Sequence, residues 1–417
     1  MTFDIVIVGG GLSGLALAAE LAQAKFSQLK ILVLEQRASY SRDRTWSYWK
    51  TSQRPPHRYS QLERHHWRQW RVTQDGPADL QKTQAITAAG KTVSYGTLDA
   101  NTFYADVLKS IAQSSHVELR LGIKVKTIVD GDTPCAVTCD GSVINANWIF
   151  DARPSANPDT KGLVQQFLGW EINTDSDVFD STAIDLMHFY PSTSGLHFFY
   201  VLPYSSRKAL VETTWISPAS FKPEFEPELQ QYVSALVGKA GYQVEYTEKG
   251  SLSLQLGSHS KPSKRFGAAA SPFKSKIIPL GRRAGTLRAS TGYAFLETLA
   301  HSERIAASLK EYLVCREHIG HLNETNLADW TPPSFRRPVL DEWMDFIFLT
   351  KMALNWSVSS SYFMRMFRRV DSDTLVAFLS GGASLKQRLS VALALPILPF
   401  LVHITSMSLR KLRGRSS

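Results

Sequence analysis

The stretch from Asp4 to Glu35, DIVIVGGGLSGLALAAELAQAKFSQLKILVLE, decides the fold. Ile5 to Val8 is a β-branched run that stops at glycine, the pattern of a short buried strand. Gly9, Gly11 and Gly14 follow at the G-x-G-x-x-G spacing, and a Leu- and Ala-rich segment to about Ala24 predicts a helix. A second apolar run, Ile31 to Leu34, ends on Glu35. The three glycines serve different ends. Gly9 allows the tight turn, Gly11 lets backbone approach a pyrophosphate, and Gly14 lets helix and strand pack closely. The loop and helix start, Gly9, Gly10, Gly11, Leu12, Ser13 and Gly14, offer free N–H groups and a positive dipole to an anion. Glu35 suits a ribose hydroxyl rather than a 2′-phosphate. A glycine triplet alone is weak evidence. With strand, helix, second strand and terminal acid in place it predicts a dinucleotide site. One copy at the start of the chain favours FAD over NAD.

A chain of 417 residues, 43% hydrophobic and 20% charged, has the length for two globular domains. Its three cysteines, Cys135, Cys139 and Cys315, are too few for a disulfide scaffold. Cys135 and Cys139 have no matching pair elsewhere, so no metal site is expected. The first strand starts at residue 3 with no leader before it, and a cytoplasmic N-terminus is expected. A net charge of +10 suits either nucleic acid or an anionic membrane.

The location of that charge separates the two. Residues 38 to 76 are basic and crowd Trp46, Tyr48, Trp49, Trp67 and Trp70 together. They read either as a loop whose aromatics pack on one another or as the wall of an apolar tunnel. No RNA-stacking module is present, and no nucleic-acid partner is expected. Past Trp330 the chain turns apolar and helical. Leu389 to Met407 carries no charge but holds Pro396, Pro399 and His403, and RKLRGR follows. No acid occurs after Asp373, whereas six Lys or Arg do. An apolar wedge with a basic flank marks a helix lying on a lipid surface. A spanning helix needs about 20 apolar residues, and this run barely reaches that with two prolines inside. The expected partner is a membrane, met from its cytoplasmic face.

Between these ends, a helix is predicted from about Asp99 to Ser114. Short strands follow, with a hairpin at Asp140-Gly141, and the chain returns to the nucleotide fold at Trp148 to Asp151. Residues 163 to 260 carry long alternating runs, notably LHFFYVLPYSS and RKALVETTWIS, which predict an antiparallel sheet with a helix near Glu226 to Ala240. Residues 258 to 275 read as a basic loop. IIPLGRRAGTLRASTG, 277 to 292, is a strand and two glycine turns before a helix from about Tyr293 to Tyr312. Amides around Gly281, Gly285, Thr291 and Gly292 are placed to face a phosphate or flavin. The fold class expected is α/β: a Rossmann-like FAD-binding domain (1–50, 92–155, 274–330), an inserted antiparallel substrate domain (51–91, 156–273) and a helical membrane-associating region (331–417).

These pieces together resemble the bacterial-type lycopene β-cyclases, a flavoprotein family similar in fold to flavin hydroxylases. The resemblance rests on VGGGLSGLALA, DRTWSYW at 43–49, FDARP at 150–154, LVETTW at 210–215, PLGRRAGTLRASTGY at 279–293, and the block from FMRMFRRV to FLSG at 363–381. Arg44 stands where the family usually has His, and Arg288-Ala289 where it often has His-Pro. The resemblance implies that ψ-ends of lycopene and related linear carotenes become β-rings by way of γ-carotene. It implies bound FAD in its reduced state and NADPH as electron donor. It adds Arg44, Trp46 and Asp151 to the cofactor contacts, and Trp46, Tyr48, Trp49 and Trp215 to the substrate wall.

Ring closure needs one proton added, one cation tolerated and one proton removed. Glu212 in LVETTW is the expected acid, because alternation aims it to the same side as Leu210 and burial would keep its proton on. Glu297 in FLET falls on the later helix and is expected to be structural. The rival reading is a membrane-associated FAD-dependent monooxygenase or isoprenoid reductase. Hydroxylases usually carry Gly-Asp in the second flavin strand, where this chain has Gly281-Arg282.

Overall fold

The computed structural model describes residues 2–23, 26, 28–75, 83–154, 162–254, 275–318, 327 and 329–413. The loop expected at 258 to 275 therefore lies outside the described residues, save Ser275. The chain opens with β1 (Thr2–Val8), α1 (Leu12–Gln23), β2 (Ile31–Leu34), β3 (Thr45–Lys50), β4 (His65–Trp67), β5 (Gln69–Gln74), β6 (Gln84–Ala89) and β7 (Ser94–Asp99). Next come α2 (Ala100–Ala112), β8 (Val117–Arg120), β9 (Val125–Val129), β10 (Cys135–Thr138) and β11 (Val143–Asp151). A run of long strands follows, β12 (Leu163–Thr174), β13 (Ala183–Tyr190), β14 (Leu196–Pro203) and β15 (Lys208–Pro218), then α3 (Phe225–Val237) and β16 (Tyr242–Leu254). The chain ends through β17 (Ile277–Pro279), α4 (Phe295–His318), α5 (Val339–Leu354), α6 (Ser359–Arg369), α7 (Ser372–Leu379), α8 (Leu385–Ala394) and α9 (Ile397–Arg413).

The nucleotide sheet runs β8-β2-β1-β11-β10-β9, with β17 added beside β11. β8, β2, β1, β11 and β17 are parallel, and β9 to β11 form the antiparallel meander. Parallel strands are covered on both faces and so read as unbroken apolar runs. In β1, Ile5 and Ile7 pack with α1, α2 and α4, while Val6 and Val8 pack on the other side with Ile144 and Ile149. All four are buried.

The second sheet runs β16-β12-β15-β14-β13-β5-β6. One face lies under α3. The other meets Trp49, Trp67, Tyr95 and the helices past residue 339. The reading of residues 38 to 76 as a loop is corrected here: Thr45–Lys50 and Ser94–Asp99 pair antiparallel, with His65–Trp67 on the far side. The strand was hard to see because both its faces are filled. Trp46 packs against the nucleotide-domain core and Trp49 into the sheet-domain core, so the polar alternation begun by Thr45 and Ser47 breaks at Trp49.

One buried ion pair ties the C-terminal helices to this frame, and a second ties two of those helices together. Arg288, just before the second glycine turn, donates to Asp345 of α5 through Nη2 at 3.0 Å, and its Nη1 donates to the Phe378 carbonyl of α7. Ser290 Oγ donates to the same carboxylate at 2.7 Å. On α5, Asp341 takes two bonds from Arg388 of α8. The Arg288–Asp345 side chains are 2% and 5% exposed. Removing one partner strands a buried charge, which costs about 3–5 kcal/mol. Asp345→Ala is therefore expected to lower unfolding stability by that amount in denaturant titration. Disrupting Arg207–Asp177, whose side chains are 56% and 67% exposed, is expected to leave it nearly unchanged.

Candidate active site

Strand register builds the site as one row across four strands. Tyr200 of β14 pairs with Glu212 of β15, Glu212 with Gly169 of β12, and Gly169 with Glu248 of β16. Directly paired residues share a face. This face is the one turned away from α3, because Leu210 and Ile216 beside Glu212 belong to the core shared with the C-terminal helices. Gly169 has no side chain to separate its neighbours. A Cβ there would stand 3.3 Å from Glu248 Cγ and 3.6 Å from Glu212 Cβ.

Three carboxyls on this face have sharply different environments. Glu212 is half-buried by surface, yet its carboxyl is closely surrounded by protein. Burial pushes its pKa up to about 8, the nearby Glu248 adds to the rise, and a 2.6 Å bond from Thr214 Oγ1 opposes it. Burial likewise pushes Glu248 up to about 7, against a bond from Thr45, a 3.2 Å bond from the Tyr246 hydroxyl, and the charges of Arg42 and Arg44. Glu171, one row along, would also be raised by burial. Bonds from Arg64 and Arg42, with Lys208 nearby, instead hold it down to about 2. The result is a protonated acid, a carboxyl poised near neutrality, and a permanent anion.

Beside Glu212 stands a cluster of tyrosines. Tyr200 donates to the Tyr95 hydroxyl at 2.9 Å and Tyr293 to the same oxygen at 3.3 Å. Burial raises all three well above the ordinary phenol value, so they stay neutral. Trp49 sits edge-on to Tyr95 at 4.6 Å. A cavity lies beyond them, lined among others by Tyr48, Trp49, Arg54, Tyr293, Phe295 and Arg337. Glu212 does not line it; the tyrosines link the two. Glu297 sits at that cavity and is paired with Arg54.

The expected substrate wall is divided by strand geometry. Alternation along β3 sends Trp46 and Tyr48 one way, where both stack on Phe295, and Trp49 the other way, toward Tyr95. Trp215 is three residues from Glu212 and so faces α3. It stacks on His197 at 4.2 Å and donates to Glu228 at 2.9 Å. Only Trp49 of the four is on the Glu212 side.

The glycine motifs do converge. Gly9 holds φ +102°, and a Cβ at Gly14 would overlap the Gly9 carbonyl, whereas Gly11 opens onto free space. Gly10 N–H donates to Glu35 Oε2 at 2.6 Å, and Arg37 binds Oε1 at 3.1 Å. Arg37 also reaches the carboxylate through its backbone N–H at 2.8 Å and Nη2 at 3.4 Å, which fills its roughly four acceptor positions, so a ribose hydroxyl would take the place of one of Arg37's bonds. Gly281 packs so tightly on Ser13 that a Cβ would overlap its Oγ, and Gly292 abuts Gln165 of β12. Gly285 turns left-handed at φ +92° between them, and Thr291 N–H bonds back to the Arg288 carbonyl at 3.3 Å. The second glycine block thus packs directly on the first at Ser13, which brings together the two loops a dinucleotide would need. Asp151 engages Arg153 and Arg283, bracing the second block. Arg44 donates to the Lys249 carbonyl of β16, beside Glu248. Sequence reasoning missed Gly169 and Glu248, which meet only through strand pairing, and the three tyrosines, which come from two different sheets and a loop.

Solved structures share this fold. A geranylgeranyl bacteriochlorophyll reductase-like protein from Thermoplasma acidophilum superposes at TM-score 0.58 with 14% identity, over 94% of this chain and 96% of the other. The flavin-dependent brominase Bmp2 matches at 0.58 and 10% identity, over 98% and 100%. The flavin-dependent monooxygenase PieE, solved with FAD and substrate, matches at 0.58 and 11%, over 94% and 71%. At such identities these likenesses establish the fold, that of FAD-dependent enzymes. In sequence, a lycopene beta-cyclase from Paracoccus sp. (strain N81106 / MBIC 01143) is 27% identical over 299 residues, 70% of each protein. The family model described as lycopene cyclase protein matches residues 4–404. The chain belongs to the lycopene cyclase family.

Proposed function

We propose that this chain is a lycopene β-cyclase, turning ψ-ends of lycopene into β-rings, by way of γ-carotene to β-carotene, without net oxidation. The observation that carries the reading is Glu212: a carboxyl that keeps its proton near neutral pH, on an interior face beside neutral aromatics. An alkene is a poor base, so its acid must be protonated and kept from water. Glu212 protonates C2 and leaves a cation at C1. The C5–C6 double bond attacks C1, charge moves to C5, and loss of the C6 proton gives the β-ring. Tyr200, Tyr95, Tyr293 and Trp49 offer electron-rich faces to that charge. Gly9 to Gly14, Glu35, Gly281, Gly285, Thr291 and Gly292 would hold FAD. When bound and reduced, with NADPH as proposed donor, FAD supplies electron density that stabilises a nearby cation.

The membrane role belongs to α8 and α9. Among the described residues no single helix is long and apolar enough to cross a membrane, and these two meet at a 102° bend. Leu385, Leu389 and Leu393 recur at helical spacing along α8 and are exposed, as are Ile397, Leu398, Leu401 and Val402 of α9, with Trp343 of α5. Basic residues and no acid accompany them after Asp373. That chemistry suits the interface of an anionic cytoplasmic leaflet, from which a carotene can be drawn.

The direct test is lycopene incubated with the full chain and reduced FAD, followed by pigment chromatography. β-Carotene is expected; unchanged lycopene with FAD-loaded protein overturns the reading, and stoichiometric NADPH consumption points to a redox enzyme instead. Glu212→Gln is expected to cut turnover by on the order of a thousandfold with FAD still bound. The raised carboxyl holds a proton in the folded state that the unfolded chain releases above its ordinary value of 4.5. Stability is thus lost as pH rises from there toward about 8, and the Gln variant should melt higher than wild type at pH 8 to 9. Activity should fall above about pH 8 as Glu212 ionises, readable in a pH–rate profile. Wild type should float with phosphatidylcholine–phosphatidylglycerol vesicles, and the Leu389→Glu/Leu398→Glu protein should not.

A further inference from the structure

We propose that Glu248 is the base of the ring closure, taking the C6 proton after Glu212 has delivered its own to C2. The inference rests on the cyclase reading. Its geometric ground is the row Tyr200–Glu212–Gly169–Glu248: two acids on one sheet face, with one glycine between them whose open side is flanked by Glu248 Cγ, Leu210 Cδ1 and Glu212 Cβ. Glu248 is 5% exposed, so it is an interior group rather than a solvated one. Its surroundings are asymmetric. Toward Gly169 it faces Glu212. On its other sides it meets Tyr246 of its own strand, Thr45 of β3, and the charges of Arg42 and Arg44 before β3. Glu171 in the next row is neutralised by Arg42, Arg64 and Lys208, which leaves Glu248 without a competing base on that face.

Two carboxyls whose environments separate their affinities for protons can divide acid and base work between them. Burial raises both, and Glu248 alone of the two has bonds from Thr45 and Tyr246 and the charges of Arg42 and Arg44 favouring its ionised form. The step balances. The C2–H bond forms with the Glu212 proton and the C1=C2 electron pair. The C5=C6 pair then makes the C1–C6 bond. The C6–H bond breaks, its pair becoming the ring double bond at C5–C6 and its proton joining a carboxylate oxygen of Glu248. A proton returned to Glu212 across Gly169 resets the site.

A cation at C5 has removable protons at C6, at C4 and on its methyl group, so the position of the base chooses the isomer. The experiment compares wild type, Glu248→Gln, Glu248→Asp and Gly169→Ala, each with lycopene and reduced FAD, reading ring isomers by chromatography and turnover against pH. Flavin absorbance and melting temperature report folding. Glu248→Gln should cut β-ring formation about a hundredfold, with any residual rings carrying the double bond at other positions, and should lose the rise in rate near pH 7. Glu248→Asp should restore β-rings at reduced rate. Gly169→Ala, whose methyl would press on Glu248 Cγ and Leu210 Cδ1 while only touching Glu212, moves Glu248 without altering charge; it should shift the isomer ratio in the same direction, and it decides the matter if the Gln variant does not fold. A Glu248→Gln protein that makes only β-rings at wild-type rate, with the same pH profile, overturns the proposal and shows that Glu212 retrieves the proton itself. If wild type makes no rings, it is the cyclase reading that fails.

Discussion

A carboxylic acid that stays protonated at neutral pH has to be denied water and denied cations, and the structure meets both conditions around Glu212. The nearest arginines are directed elsewhere: Arg42 and Arg64 are taken up by Glu171 one row away. The side chain's strand neighbours are Tyr200 and a glycine, neither of which carries charge. The charged neighbour that does act on Glu212 is Glu248, whose negative charge raises its pKa further.

Sealing that face requires helices, and their attachment explains the buried ion pairs. α5, α6 and α7 cover the sheet with Leu349, Phe363, Phe367 and Leu375. They are anchored by Arg288, which belongs to the same glycine-bearing loop that faces the dinucleotide cleft. One short segment, Arg288 to Tyr293, thus joins the nucleotide site, the tyrosine cluster and the helical cover. An arginine at position 288 fits this geometry because its fork reaches a carboxylate and a carbonyl at once.

The nucleotide half was legible because its signals are local: glycines at fixed offsets, an apolar run on either side, an acid at the end. Glu212 was legible too, through alternation along one strand and a motif around it. β3 was not, since a strand buried on both faces shows no polar period. The placement of Trp46, Tyr48 and Trp215 away from Glu212 follows from odd and even spacing, but only after the strands are known. Glu248 was beyond sequence reasoning: it is 36 residues from Glu212, and its pairing depends on β12 lying between β15 and β16, an order that no local pattern encodes.

Gly169 also makes the central ladder a ruler. β12 pairs with β15 over eleven residues, from Leu163 opposite Pro218 to Asn173 opposite Lys208, and neighbouring strands lie about 4.8 Å apart. The span between the two acids is thus set by backbone hydrogen bonding and cannot drift with side-chain packing. Because side chains alternate, a slip of one residue in β15 would turn Glu212 under α3 while leaving every glycine of the nucleotide cleft in place. The same slip would carry Leu210 and Ile216 out of the core they share with the C-terminal helices, so the apolar residues beside the acid hold it in its working alignment.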